Sequence, residues 1–341
     1  GSNSFGQCGT NDTVDYTRFK KVLTINEKIL KISHGGYHTF LITESKSVYG
    51  CGGNDKGQLG ITGLKENLLQ FTLLENVKAD DIACGWDHSI LLLDGRVFVT
   101  GSNSFHQLGV EKVKRLDTWT DLSIPESISK ISCGLRHSMA LTTEGSVYVW
   151  GNNSHYKCFT WEKHVIVPTK ISLDAYLDAD EIVVDMALGQ HHSCLLTSKM
   201  KCLLAGRNKF GECCGLAPNQ DVFSCVIPNC LKVFCGWNTT IFYCIDKKVY
   251  GTGRNDYFQL AIDEPQQVNQ LVPMLEDVDC ISVGSEHCLF LREAKAFAFG
   301  WNEHGNLGVE HQNRDIFRVV IGNACLVSAG YGNSFVVVLD S

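Results

Sequence analysis

Short runs of apolar residues, separated by turn residues, recur along the whole chain. The apolar run 89–93 is followed by Asp94-Gly95 and then by a second run at 96–100, and the same arrangement returns around Glu144-Gly145. A turn pair such as Asp-Gly between two strand-sized runs is typical of a β-hairpin. No stretch shows a long apolar period of 3.6 residues, which an amphipathic helix would require. We therefore expect an all-β protein built from hairpins.

Two motifs order these strands into repeats. The first is an apolar residue, two variable residues, Gly, two variable residues, and then usually His with Ser or Thr; its seven glycines are 50, 49, 55, 47, 48 and 46 residues apart. The second is Gly-x-Asn followed by a Gln-Leu-Gly-like end, and it alternates strictly with the first. The glycines of the first motif are Gly35, Gly85, Gly134, Gly189, Gly236, Gly284 and Gly330, and the asparagines of the second are Asn3, Asn54, Asn103, Asn153, Asn208, Asn255 and Asn302.

A period near 50 residues with several strands per unit is typical of a propeller blade. We predict a seven-bladed β-propeller of four-stranded antiparallel blades, formed by a single domain over residues 1–341. The chain opens with the second motif and closes with the first, so the N- and C-terminal segments are expected to close the last blade together. Such closure removes an open sheet edge. An apolar strand precedes Gly-x-Asn in the other copies but not at Gly1, which leaves open whether the closing blade is one strand short.

Four stretches carry a more specific pattern of Gly, Trp, Asn and His: residues 84–87, 101–105, 284–287 and 300–305. With the repeats, they resemble the regulator of chromosome condensation (RCC1-like) repeat family over essentially the whole chain. Within it they resemble the secretion-regulating guanine nucleotide exchange factors and the yeast killer-toxin-insensitivity propeller.

The resemblance implies a propeller that binds a partner through one of its faces. The founding member of the family drives nucleotide release from a small GTPase with the help of a wedge-like insertion, for which this sequence has no clear equivalent. The yeast propeller partners a small zinc-binding protein in the modification of transfer-RNA wobble uridine and of diphthamide.

Charge and cysteine content narrow the function further. The formal net charge is -7, and an acidic surface repels phosphate backbones, so we expect no direct nucleic-acid binding. No apolar run approaches the ~20 residues that span a bilayer, and no leader-like segment opens the sequence. We expect no membrane association and assign the 16 cysteines to reduced thiols of the cytoplasm or nucleus.

Side chains suited to catalysis or metal binding have simpler interpretations. Five histidines recur at blade spacing, which favours a structural imidazole that bonds the next turn. Three cysteines directly precede the repeat glycine and are interpreted as small buried residues at blade contacts. No phosphate-binding loop and no nucleophile elbow are found. We predict no cofactor, no metal and no catalytic residue. The histidines are His38, His88, His137, His192 and His287, and the cysteines are Cys84, Cys133 and Cys235.

The two variable residues between the repeat Gly and His are the main candidates for partner binding. Equivalent positions of all blades lie at the same end of a propeller, and aromatic residues with Arg dominate interface hot spots. In the alternative interpretation the tryptophans pack inward against neighbouring blades. We place Trp301, Glu303 and His304, which follow another strand, on the opposite rim. The candidates among the variable pairs are Tyr37, Trp86, Asp87, Arg136, Trp237, Glu286 and Tyr331.

The longest segment between repeats covers roughly residues 154–185. It carries Trp161 and an acidic run that includes Asp178, Asp180 and Glu181. Long loops on rigid scaffolds often carry function, so this segment is a candidate wedge or clamp, with a passive solvated loop as the alternative.

These observations favour a monomeric scaffold or adaptor that binds another protein through one face of the disc. A guanine nucleotide exchange factor for a small GTPase is the second hypothesis, and it requires no bond-making chemistry. The third hypothesis, a partner of a small zinc-binding protein, depends only on the likeness to the yeast propeller.

Overall fold

Six antiparallel sheets of four strands follow one another along the chain. They are seen in a computed structural model that describes residues 1–64, 66–215, 222–263, 267–310, 316–319 and 323–339. Blade 1 contains β1 (Ile29–His34), β2 (His38–Thr43), β3 (Ser47–Gly52) and β4 (Leu68–Lys78). Blade 2 contains β5 (Asp81–Cys84), β6 (His88–Leu93), β7 (Arg96–Ser102) and β8 (Arg115–Asp121). Blade 3 contains β9 (Ile128–Cys133), β10 (His137–Thr142), β11 (Val147–Asn152) and β12 (His164–Lys170).

The second half of the chain repeats the pattern. Blade 4 contains β13 (Val183–Leu188), β14 (His192–Thr197), β15 (Lys201–Gly206) and β16 (Val222–Val226). Blade 5 contains β17 (Cys230–Cys235), β18 (Thr239–Cys244), β19 (Val249–Arg254) and β20 (Gln267–Leu275). Blade 6 contains β21 (Cys280–Val283), β22 (His287–Arg292), β23 (Lys295–Gly300) and β24 (Phe317–Val319). A last sheet has two strands, β25 (Ala324–Ala329) and β26 (Ser334–Val338).

The first strand of every sheet contacts the first strand of the next one. The contacts run from β1 through β5, β9, β13, β17 and β21 to β25, and β25 returns to β1. The strands are therefore arranged around a common axis, and the two-stranded sheet completes the ring. Packing between sheets forms the core: one cluster joins Ile90 of blade 2, Met139 of blade 3 and Leu195 of blade 4. The all-β propeller with four-stranded antiparallel blades is thus confirmed.

The number of blades and the closure of the ring differ from the prediction. The structure has six four-stranded blades, so the predicted seven are wrong. The N-terminal residues contribute no strand to the last sheet, although Val22, Leu23 and Ile25 pack against its Phe335 cluster. An extended segment becomes a strand only by pairing with a neighbour, and β26 pairs only with β25 among the described residues.

The chain ends nevertheless meet, through loops instead of a shared sheet. The backbone N–H of Ser2 donates to the carbonyl of Gly332 at 2.7 Å. The hydroxyl of Thr39 in blade 1 donates to the carbonyl of Gln7 at 2.8 Å. The second motif at the N-terminus therefore fills the space between the two-stranded sheet and blade 1, as its other copies do between blades.

A three-part hydrogen-bond link joins most neighbouring sheets. The ring of His88 in blade 2 bonds the hydroxyl of Ser138 in blade 3 at 3.0 Å, and that hydroxyl donates to the carbonyl of Gln107 at 2.9 Å. Gln107 lies in the loop that follows β7, so three segments are tied together. The equivalent rings at His38, His137, His192 and His287 bond Ser89, Ser193, Thr240 and Ser334. The structural interpretation of the five histidines matches these contacts, but their partner is a hydroxyl rather than the expected backbone group.

The repeat glycine makes room for this imidazole. A Cβ atom on Gly85 would lie 1.9 Å from Cε1 of His88 and 2.8 Å from the carbonyl oxygen of Gly134. Any larger side chain would displace either the ring or the next blade. The first motif therefore couples its Gly and its His through a steric requirement.

The junction of blades 5 and 6 lacks this link, because Thr239 replaces the histidine and Cys288 replaces the hydroxyl residue. A carboxyl group takes over: Asn238 and Gln259 donate to Glu286 at 2.6 and 2.7 Å. Neighbouring blades are thus joined in two chemically different ways.

The buried histidines predict a strong dependence of stability on pH. Burial lowers the pKa of His38 and His192 to about 3 and that of His88 to about 4, so these rings stay neutral in the folded protein while they titrate near 6.5 once unfolded. Stability is then fully present above pH 6.5 and falls as the pH drops toward the folded pKa, by about 1.4 kcal/mol per pH unit for each ring. His88→Asn introduces the residue found at the equivalent position 333. Between pH 6 and 5 we expect it to reduce the change in the free energy of unfolding with pH by about 1.4 kcal/mol per pH unit. Urea denaturation at several pH values measures it.

His164→Asn is the matched control, because His164 is exposed. This variant should keep the slope of the unmodified protein. A slope that His88→Asn leaves unchanged would show that the link does not require a neutral imidazole.

Candidate functional site

The strand register brings the variable pairs and the second motif to the same end of the disc. In blade 2, His88 pairs with Gly101, so the residues before β6 lie beside those that follow β7. The backbone N–H of Ser102 donates to the carbonyl of Asp87 at 2.9 Å, and Trp301 donates in the same way to Glu286 at 2.8 Å. We call this end the axial face. Trp301 therefore lies on the axial face, and its placement on the opposite rim is wrong.

Four of the predicted aromatic residues form one cluster on the axial face. The ring of Trp86 lies 5.0 Å from Tyr37, 5.5 Å from Tyr331 and 6.2 Å from Trp237 between centroids, and Trp237 lies 6.1 Å from Tyr331. All four side chains are partly exposed. They come from blades 1, 2 and 5 and from the two-stranded sheet, so their contact spans the axis. The rings pack on each other and keep part of their surface exposed, and partner binding through them stays a prediction.

An axial cavity of about 200 Å³ lies below this cluster. Trp237 and Tyr331 line it together with Cys84, Cys133 and Cys235. Burial raises the pKa of the Cys84 thiol to about 12, so it is protonated at neutral pH and is a poor nucleophile. The sulfur atoms of Cys133 and Cys235 donate to the carbonyls of Ala83 and Ala187. These thiols pack between blades, in line with their predicted role.

The charged residues of the variable pairs differ in accessibility. Glu286 is only 6% exposed, and burial raises the pKa of its carboxyl group despite the donors Gln259, Arg254 and Asn238. Asp87 is half-buried and accepts a hydrogen bond from Gln107 at 3.0 Å. The half-buried guanidinium of Arg136 stacks on Phe105 at 4.0 Å from the ring centroid. Asp87 and Arg136 can therefore meet a partner, whereas Glu286 serves the junction of blades 5 and 6.

The loop after β23 carries the next three candidates. Trp301 stacks edge-on against His304 at 5.3 Å between centroids, and His304 Nδ1 lies 2.8 Å from a carboxylate oxygen of Asp15. Glu303 is exposed. This loop thus links the axial face to the N-terminal segment.

Most of segment 154–185 belongs to blade 3. It holds a 3₁₀ turn at Ser154–Tyr156 and the outer strand β12, and residues 157–163 and 171–182 remain loops. Trp161 is 65% exposed and contacts Tyr156. Asp178 and Asp180 are exposed and pair with Lys199.

Glu181 differs from its acidic neighbours. It is buried, it accepts a hydrogen bond from the Thr197 hydroxyl, and its carboxylate lies 2.9 Å from Lys201 Nζ. These bonds lower the pKa of Glu181 to about 2 in spite of burial. It fastens the segment to blade 4 and is not free to contact a partner.

Several cations of the axial face were missed by the sequence analysis. Arg207 and Arg254 occupy the variable position of Gly-x-Asn, which Trp301 fills in blade 6. Both guanidinium groups lie within 6 Å of the Phe210 ring, at 5.8 and 5.4 Å. Lys157 stands where other copies have Gln and is 1% exposed. The variable position of the second motif is the signal that would have revealed the two arginines.

The described residues include no group of three or more His, Cys, Asp or Glu side chains arranged to hold a metal ion. Across the same ranges, no helix has the length and apolar character needed to cross a bilayer.

Comparisons with known proteins agree with this architecture. A family model for the RCC1-like domain matches residues 1–338. The secretion-regulating guanine nucleotide exchange factor of Bos taurus is 30% identical, with 90% of this chain and 74% of that protein covered. An RCC1 repeat-containing protein of Schizosaccharomyces pombe is 27% identical, with 100% and 98% covered. The structure of Prp20p from Saccharomyces cerevisiae has the same fold, with a TM-score of 0.75 at 22% identity over 90% of this chain and 81% of that one. The chain belongs to the RCC1-like domain family.

The aromatic cluster predicts a contrast between two tryptophans. Trp86→Ala removes three ring contacts and should lower the free energy of unfolding by about 2 kcal/mol. Trp161→Ala truncates an exposed side chain and should change it by less than about 0.5 kcal/mol. Urea denaturation followed by circular dichroism compares them, and equal effects would contradict the cluster as a packing element.

Proposed function

We propose that this chain is a protein-binding scaffold that engages a partner protein through the axial face. The observation that carries the proposal is the cluster of Tyr37, Trp86, Trp237 and Tyr331, which is partly exposed at the axis. Large aromatic rings held in place by mutual contacts lose little conformational entropy on binding, which makes them efficient interface anchors. The rim adds Asp87, Arg136, Trp301 and Glu303, whose charges of both signs would select the partner.

Support also comes from the related proteins. Prp20p of Saccharomyces cerevisiae was characterised for its binding to Gsp1p and histones, so a propeller of this fold binds other proteins.

Arg136→Glu is the sharpest test of the axial face. Arg136 is half-buried, stacks on the Phe105 ring and forms no ion pair within the described ranges, so its reversal should leave the fold intact. We expect this variant to lose a stoichiometric partner that the unmodified chain retains in affinity purification from native extract, with a melting temperature within a few degrees of the original.

Arg96→Glu provides a control at the opposite end of the disc, where Arg96 opens β7; its exposed ion pair with Asp121 contributes little to stability. This variant should retain the partner. Loss of the partner in the control but not in Arg136→Glu would assign binding to the opposite face.

A guanine nucleotide exchange activity is the second candidate. The 30% identity to the secretion-regulating guanine nucleotide exchange factor over 90% of this chain favours it. An exchange factor binds the nucleotide-free GTPase more tightly than the loaded form and so shifts the equilibrium toward release.

We expect substoichiometric amounts of the chain to accelerate release of labelled GDP from one member of a panel of purified small GTPases, and Arg136→Glu to reduce the acceleration at least tenfold. A panel without any acceleration would leave the scaffold role alone. Partnership with a small zinc-binding protein stays a prediction that copurification can test.

A further inference from the structure

A group of basic side chains lies on the axial face between blades 3 and 4. Arg136 comes from the variable pair before β10 and His191 from the pair before β14. His155 and Lys157 belong to the loop after β11, and Arg207 follows β15. We call Arg136, His155, Lys157 and His191 the basic pocket, with Arg207 at its border.

The contacts of the basic pocket leave its donors unused. The rings of His155 and His191 lie 5.5 Å apart between centroids. Lys157 Nζ donates to the carbonyl of Gln190 at 3.1 Å, which leaves two of its three N–H groups without a bond. Nε of Arg136 and Nδ1 of His191 are buried and lack a hydrogen-bond partner among the described residues. Leaving a buried polar atom such as the Arg136 Nε–H without a partner is unfavourable, so the pocket is incomplete as it stands.

No acidic side chain balances these charges. Within the described ranges, no carboxylate lies within 4.0 Å of a nitrogen of the basic pocket. Glu212 is the acidic residue at the border, and it pairs with Arg207 at 3.3 Å. Burial, together with Arg136 and Arg207, lowers the pKa of Lys157 to about 8 even though Cys158 acts the other way. Burial and the neighbouring Lys157, Arg207, His155 and Arg136 lower the pKa of His191 to about 4.

The repeat shows that the fold does not need a charge at position 157. Gln58, Gln107 and Gln259 occupy the equivalent position, and each accepts a hydrogen bond at 2.7–2.9 Å from the backbone N–H two residues earlier. Lysine has no acceptor and gives up this bond. A neutral residue that stabilises the loop is thus replaced by a buried ammonium group with the guanidinium groups of Arg136 and Arg207 nearby.

We propose that the basic pocket binds an oxyanion, either a phosphoryl group or a carboxylate. The Arg136 guanidinium and the two imidazoles would donate hydrogen bonds to its oxygens, and Lys157 would stabilise it through its charge from below. That the oxyanion is carried by the partner protein rests on the proposed function. Binding of the anion itself rests only on the residues of the pocket.

Free anions test the pocket without any partner. The full chain is titrated with sodium phosphate and, separately, with sodium acetate at constant ionic strength, and binding is followed by calorimetry and by NMR of the histidine rings. We expect saturable binding of at least one anion and an upward shift in the pKa of His191 at saturation. Binding of phosphate alone identifies a phosphoryl ligand, whereas binding of acetate identifies a carboxylate.

Lys157→Gln is the decisive variant, because it restores the residue that four other copies have at this position and should fold. We expect it to weaken anion binding roughly tenfold or more, as loss of a charge-assisted contact implies. Lys114→Gln, at an exposed lysine outside the pocket, should bind as the unmodified chain does. If Lys157→Gln fails to fold, Arg136→Gln replaces it.

Two results would overturn the proposal. One is the absence of saturable binding for both anions. The other is equal weakening by Lys157→Gln and Lys114→Gln, since it would indicate an effect of net charge and not of a site. Because no partner is present, either result leaves the binding of a protein through the axial face untouched.

Discussion

The ring depends on one contact more than on any other: the imidazole of one sheet bonds a hydroxyl of the next, which in turn bonds the loop between them. His88, Ser138 and Gln107 show the arrangement. Because the two residues before each histidine form the axial face, the bond that joins the blades also fixes where the surface residues stand. Trp86 and Asp87 are held by His88 in this way. Stability and the proposed recognition of a partner therefore rest on the same short segments.

Much of this architecture can be predicted from the sequence, since each blade carries two motifs with glycines at positions where a side chain would clash with its surroundings. The hairpins, the strand order and the structural histidines follow from local patterns. The closing sheet does not, because a motif count says nothing about whether a strand finds a partner. Residues 22–25 have suitable side chains and pack on the core, yet they form no strand beside β26. Whether a segment forms a strand therefore depends on the adjacent strand as well as on its own sequence.

The candidate site was predicted in its location and only partly in its roles. The variable pairs do share one end of the disc, and the aromatic residues among them meet. Glu286 and Glu181 were counted as surface residues, but both are buried in hydrogen-bond networks whose other members are distant in sequence. Lys157 and Arg207 were overlooked because each is ordinary by itself. They become notable only when the blades are compared position by position.

The junction between blades 5 and 6, with Glu286 in place of an imidazole link, has a consequence for orientation. If all blades presented the same surface, a ligand could bind in several orientations related by rotation about the axis. The bound molecules would then be divided among these orientations. A chemically distinct seam, set apart from the basic sector at blades 3 and 4, breaks that degeneracy. A molecule that binds this end would favour one rotational orientation about the axis. An approximately symmetric propeller can therefore still bind its ligand in a single orientation.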